Sequence, residues 1–150
     1  MGTARKPLII DAGQIKQLPS GDYINVPINS PNLIVATNDN ASSITIGQAV
    51  YLKSNGAVDL AKANAAGTSR AIGIVFDASI SAAASGSIAT DGVVVGLSGL
   101  TAGSVYYLSE ATAGLLTTTA PSTAGQFVQK IGTALSTTSI LVDIEEPIVL

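Results

Sequence analysis

Few residues in this chain are of types that do chemistry. Asn38-Asp39-Asn40 sets three oxygen-bearing side chains at adjacent positions, the kind of donor a calcium ion takes, but neither fixed ligand spacing nor a distant acidic partner follows it. It reads as a polar turn. Glu145-Glu146 is the nearest approach to paired carboxylates for acid–base work, yet neighbours on an extended strand point to opposite faces and cannot share one substrate. Asn40-Ala41-Ser42 has the pattern of a glycosylation acceptor, which has meaning only behind a secretory signal. Histidine and cysteine are both absent, and with them go the commonest zinc ligands, the usual general base at neutral pH and the Ser-His and Cys-His pairs. There is no GxxxxGK[ST], GxGxxG or GxSxG. The expectation is a non-enzyme with no catalytic residue, no metal and no cofactor.

The informative residues are glycines that would position strands. Residues 47–60 read GQAVYLKSNGAVDL and residues 103–116 read GSVYYLSEATAGLL, and each stretch is followed by an apolar segment centred on glycine, AIGIV at 71–75 and KIGTA at 130–134. Leu52 and Leu108 are 56 apart, Gly56 and Gly114 are 58 apart, and Gly73 and Gly132 are 59 apart. A drift that small is what short loop insertions give. The pattern predicts an internal repeat, 47–76 and 103–135, of strand, turn, strand and glycine-centred strand. Asn55-Gly56 is the strongest hairpin signal, read as a type I′ turn with positive φ at both residues. Gly114 would sit in a longer turn, and Gly73 and Gly132 would permit a bend or a close backbone approach.

Composition bounds the rest. A chain of 150 residues is one domain, and at this size roughly 68–70% of the unfolded surface becomes buried. Only 11% of residues are charged, against about 25% in an ordinary domain, while 47% are hydrophobic. No apolar run approaches the ~18 residues of a membrane helix, so no membrane partner is expected. Such a chain keeps its surface neutral with Ser, Thr, Asn and Gly and buries part of it against other copies, which predicts a homo-oligomer held by apolar contact and insensitive to salt. A net charge of −3 with seven scattered Lys and Arg argues against a nucleic-acid partner. The start lacks the apolar stretch of a signal peptide, so the expected site of synthesis is the cytoplasm.

The elements are β almost throughout. Short strands are expected at Leu8-Ile9-Ile10, 14–18 and 23–28, separated by Ala12-Gly13 and Pro19-Ser20-Gly21-Asp22 and interrupted by Pro27 and Pro31. Residues 1–43 read as an N-terminal extension and 44–150 as the β-domain. Within it, strands are expected at 48–53, 57–61, 70–76, 87–90, 92–97, 104–109, 114–119, 126–135 and 139–145, a spacing that predicts an all-β barrel or sandwich. The Ala/Ser run at 78–85 reads as a loop or a turn or two.

The opening PLIIDAGQIKQLPSGDYI, the two repeats, and the later segments VQKIGTALS and ILVDI together resemble small structural proteins of tailed bacteriophages. The pattern is similar to capsid decoration (cement) proteins and to modules of phage tail-fibre or head-fibre proteins, over residues 8–145. The resemblance implies a β-tulip-like barrel with an extended arm, on the outer capsid surface of a virion. It implies the major capsid protein as partner, with Pro7, Leu8, Ile9 and Ile10 in the contacting arm, and a homo-oligomer, a trimer by analogy. The alternative it implies is a fibre component that meets the host surface. Neither family has catalytic residues to carry over.

Overall fold

The computed structural model describes residues 8–11, 14–17 and 30–150. Pro7, the turns expected at Ala12-Gly13 and at 19–22, and the strand expected at 23–28 with Pro27 lie outside the described residues. In chain order the strands are β1 (Leu8–Asp11), β2 (Gln14–Gln17), β3 (Asn32–Thr37), β4 (Ile44–Thr45), β5 (Ala49–Leu52), β6 (Val58–Leu60), β7 (Ala71–Val75) and β8 (Ser79–Ile80). There follow β9 (Ser85–Val95), β10 (Val105–Leu108), β11 (Leu116–Thr117), β12 (Phe127–Val128), β13 (Lys130–Ala134), β14 (Ser139–Asp143) and β15 (Ile148–Val149). The protein is all-β, and its main sheet curls into a half-barrel.

That sheet runs β11-β10-β13-β14-β9-β7-β5-β6, with β3 also on β9. Read outward from β9, the order is the same unit twice. In the first unit β5 pairs with β6 and β7, and β7 pairs with β9; in the second, β10 pairs with β11 and β13, and β13 pairs with β14. The irregularities repeat as well. Val50 faces Gly73 and Tyr51 faces Ala71, skipping Ile72; Tyr106 faces Gly132 and Tyr107 faces Lys130, skipping Ile131. Each skipped residue is a bulge, which bends the strand and strengthens its twist.

The repeat also extends to a fourth strand whose sequence shows no likeness. Ile74 faces Ala89 in the first unit and Thr133 faces Leu141 in the second. The paired glycines explain this. A Cβ on Gly73 would stand 2.6 Å from the carbonyl oxygen of Ala89, and a Cβ on Gly132 would collide with the carbonyl oxygen of Leu141. Ala89 and Leu141 are the matching residues of the fourth strands, so each glycine lets its neighbour approach at the same point.

Four expectations about the elements need correcting, the first being that the strand expected at 126–135 is two, β12, which pairs with β15, and β13, which pairs with β10 and β14. The strands expected at 87–90 and 92–97 are one strand, β9, whose first half pairs with β3 and β7 and whose second half pairs with β14. Gly92, with φ of 86°, turns the chain between the halves without ending it. The uncharged, β-branched NLIVAT segment pairs with β9 along its whole length, so the boundary expected at 43/44 falls inside the sheet-forming part of the chain. The Ala/Ser run contributes β8, which pairs with β4.

Side-chain alternation distributes the apolar residues into two clusters. Val50, Val75 and Ile88 of the first unit pack with Ala36, Val58 and with Ile44 and Ile80 from β4 and β8. Asn38 bridges to Val58 and Asp39 N–H donates to Val58 C=O at 2.8 Å, which draws the chain after β3 alongside β6 around this cluster. The other faces of these strands, Ala49, Ala71, Ile74 and Ala89, pack on Tyr106, Leu108, Ile131, Ala134, Ile140 and Val142 of the second unit. The two units therefore stack, the back of one on the inner face of the other.

Gly73→Ala and Gly132→Ala should each destabilise by about 1–3 kcal/mol, the cost of overpacking against backbone that cannot move aside. Chemical denaturation of each variant checks this, and a neutral result at both positions contradicts the close-approach reading.

Candidate functional site

The chemistry-bearing residues are placed apart, and each is engaged by its own surroundings. The Asn38 side chain is buried; its Nδ2 donates to the carbonyls of Ser42 at 2.9 Å and Ile80 at 3.0 Å, and its Oδ1 accepts from Asn40 N–H at 2.9 Å. Asn40 Nδ2 donates to Asp59 at 2.8 Å. The turn is thus an internal brace, with its amide groups bonded to backbone and to the Asp59 carboxylate. Asp39 faces Lys53 Nζ at 2.6 Å, and the hydrogen bonds from Lys53 and then Asn55 hold its carboxyl below the ordinary value. Glu145 and Glu146 diverge: Glu145 pairs with Lys130 at 2.9 Å and Glu146 with Arg70 at 2.6 Å. Lys130 also meets Asp143 at 2.8 Å, and these two carboxylates push its pKa upward.

The two turn glycines share a conformation but differ in surroundings. Gly56 has φ of 82° and a Cβ there would meet open space. Asn55 does not have positive φ, so the turn is not type I′. Gly56 N–H donates to Lys53 C=O at 3.0 Å and Lys53 N–H to Ala57 C=O at 2.8 Å, a three-residue loop closed by a left-handed glycine. Asn55 instead stabilises the turn with its side chain, whose Oδ1 accepts from Ala57 N–H at 3.0 Å. Gly114, with φ of 76°, is docked on the first unit: its N–H donates to Ala61 C=O at 2.7 Å and its carbonyl accepts from Ala49 N–H at 2.9 Å. A Cβ there would reach 2.7 Å from Leu60 Cδ2.

A second clamp between the units is Gln129, which sequence reasoning missed. Its side chain is 1% exposed; Oε1 accepts from Ala71 N–H at 2.9 Å, and Nε2 donates to Ala71 C=O at 3.0 Å and to Glu145 C=O at 3.0 Å. One amide side chain thereby binds Ala71 as an extra strand would. The only hint in the sequence is a glutamine flanked by Val128 and the glycine-centred segment, too little to mark it.

Between the units lies an open cleft of about 340 Å³, lined by the turns at 45–48 and 114–116, the loop at 96–100 and Tyr106. No charged side chain lines it. Gln48 Oε1 accepts from Thr45 N–H at 2.7 Å and the Tyr106 hydroxyl accepts from Thr101 N–H at 3.0 Å, so these polar groups brace the surrounding loops. Among the described residues no helix is long and apolar enough to cross a membrane.

The surface offers contact area. Leu33, Ile34 and Val35 are exposed in succession, Val35 by 77%, and Val95, Leu135, Leu141, Ile148 and Val149 are exposed elsewhere. Leu8, Ile9 and Ile10 of the expected arm lie in β1, whose register on β2 pairs Leu8 with Gln17 and Ile10 with Ile15. No protein-family model matches the chain, and no curated protein matches it.

Substitutions at Gln129 and Gly114, with Gly56 as the reference turn, test the junction. Gln129→Leu leaves the N–H and C=O of Ala71 buried without partners and should cost about 2 kcal/mol or more. Gly56→Val should cost about 1–2 kcal/mol, from the left-handed backbone alone; Gly114→Val, which adds a clash with Leu60 to the same strain, should cost more. Thermal unfolding ranks the three, and equal costs at the two glycines would contradict the docked role of Gly114.

Proposed function

We propose that this protein is a structural component of a tailed-phage virion, a decoration protein that seats on the outer capsid surface and stabilises the head by contact. The observation that carries the proposal is the division of labour among side chains. Polar groups of reactive type are spent on bracing turns and joining the two units, while large apolar side chains such as Leu33, Val35, Ile148 and Val149 stand exposed. Exposed apolar area of that kind marks an interaction surface. The resemblance of the repeats and of the opening segment to phage decoration proteins supplies the class of partner, the major capsid protein.

Binding of this kind works by number. Each copy contributes a modest contact, and a lattice that presents many equal sites occupies them by mass action, so the folded lattice is favoured over its dissociated state. A surface with few charges suits such a task, because the contacts survive changes of ionic strength that weaken ion pairs. The N-terminal segment before the main sheet is the attachment arm in this reading, and the stacked units form the cap. Assembly of the caps into a threefold homo-oligomer follows from the resemblance alone.

Removing residues 1–22 should leave a folded body that binds expanded capsids poorly, as measured by co-sedimentation with purified heads. Equal binding by the truncated protein removes the arm from the proposal. Counting copies per virion by quantitative mass spectrometry tests the location: a number comparable with that of the capsid subunits fits the head, and a few copies would place the protein in a tail or fibre instead.

A further inference from the structure

The turn at Asn55-Gly56 carries a reaction of its own. The peptide nitrogen that follows an asparagine can attack the side-chain Cγ, closing a five-membered succinimide and expelling ammonia, and a side chain on the following residue obstructs that attack. Asn55 is the one asparagine in the chain followed by glycine. Both residues are exposed, and a Cβ on Gly56 would meet nothing within 4 Å, so water has open access to the nitrogen. The contacts of the Asn55 side chain favour the step. Ala57 N–H donates to Asn55 Oδ1 at 3.0 Å, which folds the side chain back over its own backbone and places a donor on the oxygen that gains negative charge when Cγ becomes tetrahedral. Asn55 Nδ2, the leaving group, is held only by a long hydrogen bond of 3.3 Å to Asp39. Gly56 N–H must let go of Lys53 C=O, a bond at the exposed tip of a hairpin, where local opening costs least.

We infer that Asn55 is a site of spontaneous deamidation in the folded protein, with water as the only co-reactant. Gly56 N bonds to Asn55 Cγ and loses its proton to solvent base, the Cγ–Nδ2 bond breaks, and Nδ2 takes up a proton from solvent and leaves as ammonia. Water then opens the succinimide at either carbonyl, leaving aspartate or isoaspartate at position 55 with no change of oxidation state. The other described asparagines lack one or more of these features. Asn38 is buried and bonded through both side-chain atoms, Asn40 and Asn32 are bonded to Asp59 and Asp91, and Asn64 is exposed but precedes Ala65. The isoaspartyl product adds a carbon to the main chain of a three-residue loop, which then cannot keep both the Gly56–Lys53 and the Lys53–Ala57 hydrogen bonds. Asp39 N–H is bonded to Val58 C=O, so the loosening falls on the seam between β6 and the chain after β3. The site goes beyond the virion reading and needs only this chain.

Incubation of the intact protein in warm, mildly alkaline buffer, followed by peptide mass mapping, tests the site. The peptide that holds Asn55 should gain about one dalton, part of it as isoaspartate detected with an isoaspartyl methyltransferase. Conversion should be at least about tenfold faster than at Asn64 and should rise with pH, because the attacking nitrogen must lose its proton. Gly56→Ala, which returns a side chain beside that nitrogen, should slow it by at least about tenfold, with circular dichroism showing that the variant folds. Asn55→Gln should abolish the gain at this position, since the extra methylene takes the amide carbon out of reach of a five-membered closure. The isoaspartyl fraction, separated from unreacted chain by its added negative charge, should unfold at a lower temperature. No gain at Asn55, a rate no faster than at Asn64, a rate that ignores pH or Gly56→Ala, or an isoaspartyl fraction as stable as the parent would each overturn the inference.

Discussion

The structure depends on keeping two similar sheets in contact where neither can supply a complete ladder to the other. Ala71 lies in β7, where its backbone N–H and C=O become buried by the second unit. Buried peptide groups must be bonded, and the second unit meets them with the amide of Gln129, which presents an acceptor and a donor at the spacing of a peptide. The remaining donor on the same nitrogen holds Glu145 C=O, so the clamp also fixes the chain that follows β14. On the other flank Gly114 enters between Ala49 and Ala61 with its own backbone. The stacked arrangement of the apolar clusters follows from these two contacts, because they fix the distance and rotation of one unit on the other.

The repeat is symmetric in its ladder and asymmetric in its faces. The first unit presents Ala49, Ala71 and Ala89 with Ile74 to the second, and Ala61 and Ala63 join the same cluster. Small side chains allow a sheet to approach closely, at the expense of the large apolar surface that Leu or Phe would bury. At matching positions the second unit has Val105, Lys130, Leu141 and Thr133, larger or polar, and these are not covered by a third unit. Leu141 is exposed and Lys130 reaches Asp143 and Glu145. Divergence between the copies has therefore made one back face for packing and one for solvent.

Much of this was legible in the chain. The drift of 56 to 59 residues between copies locates β5, β6 and β7 against β10, β11 and β13, and the paired glycines mark where a neighbouring carbonyl comes close. The fourth strand of each unit was not legible as a repeat, because Ala89 and Leu141 face different surroundings and no turn signal is shared. Two prolines precede residues 32–37 and make them look like part of an extension. Proline restricts its own position and the one before it, and Pro31 lies one residue outside β3. The type of the Asn55-Gly56 turn was misjudged for a related reason: the dipeptide fits positive φ, but the loop closes around three residues and uses Asn55 as a hydrogen-bonding side chain. Gln129 was invisible, since nothing local distinguishes a clamp from a surface glutamine.

The scarcity of charge then acquires a structural reason. Each ion pair among the described residues ties a loop or strand end: Lys53, after β5, to the turn at Asp39 and to Asp59, Arg70 to Glu146, Lys130 to Asp143 and Glu145. All of these are at the surface, where a pair contributes from nothing to about 1 kcal/mol and declines with salt. Fold stability accordingly rests on the two apolar clusters and on backbone bonding, terms that salt affects little. Such a molecule can expose apolar side chains at the edge of β3 and on the second unit and still hold its shape, because the residues that make contact outside are different from those that hold it together inside. Contact surfaces can change in such a fold with little cost to its core, provided that Gln129, Gly114 and the paired glycines remain.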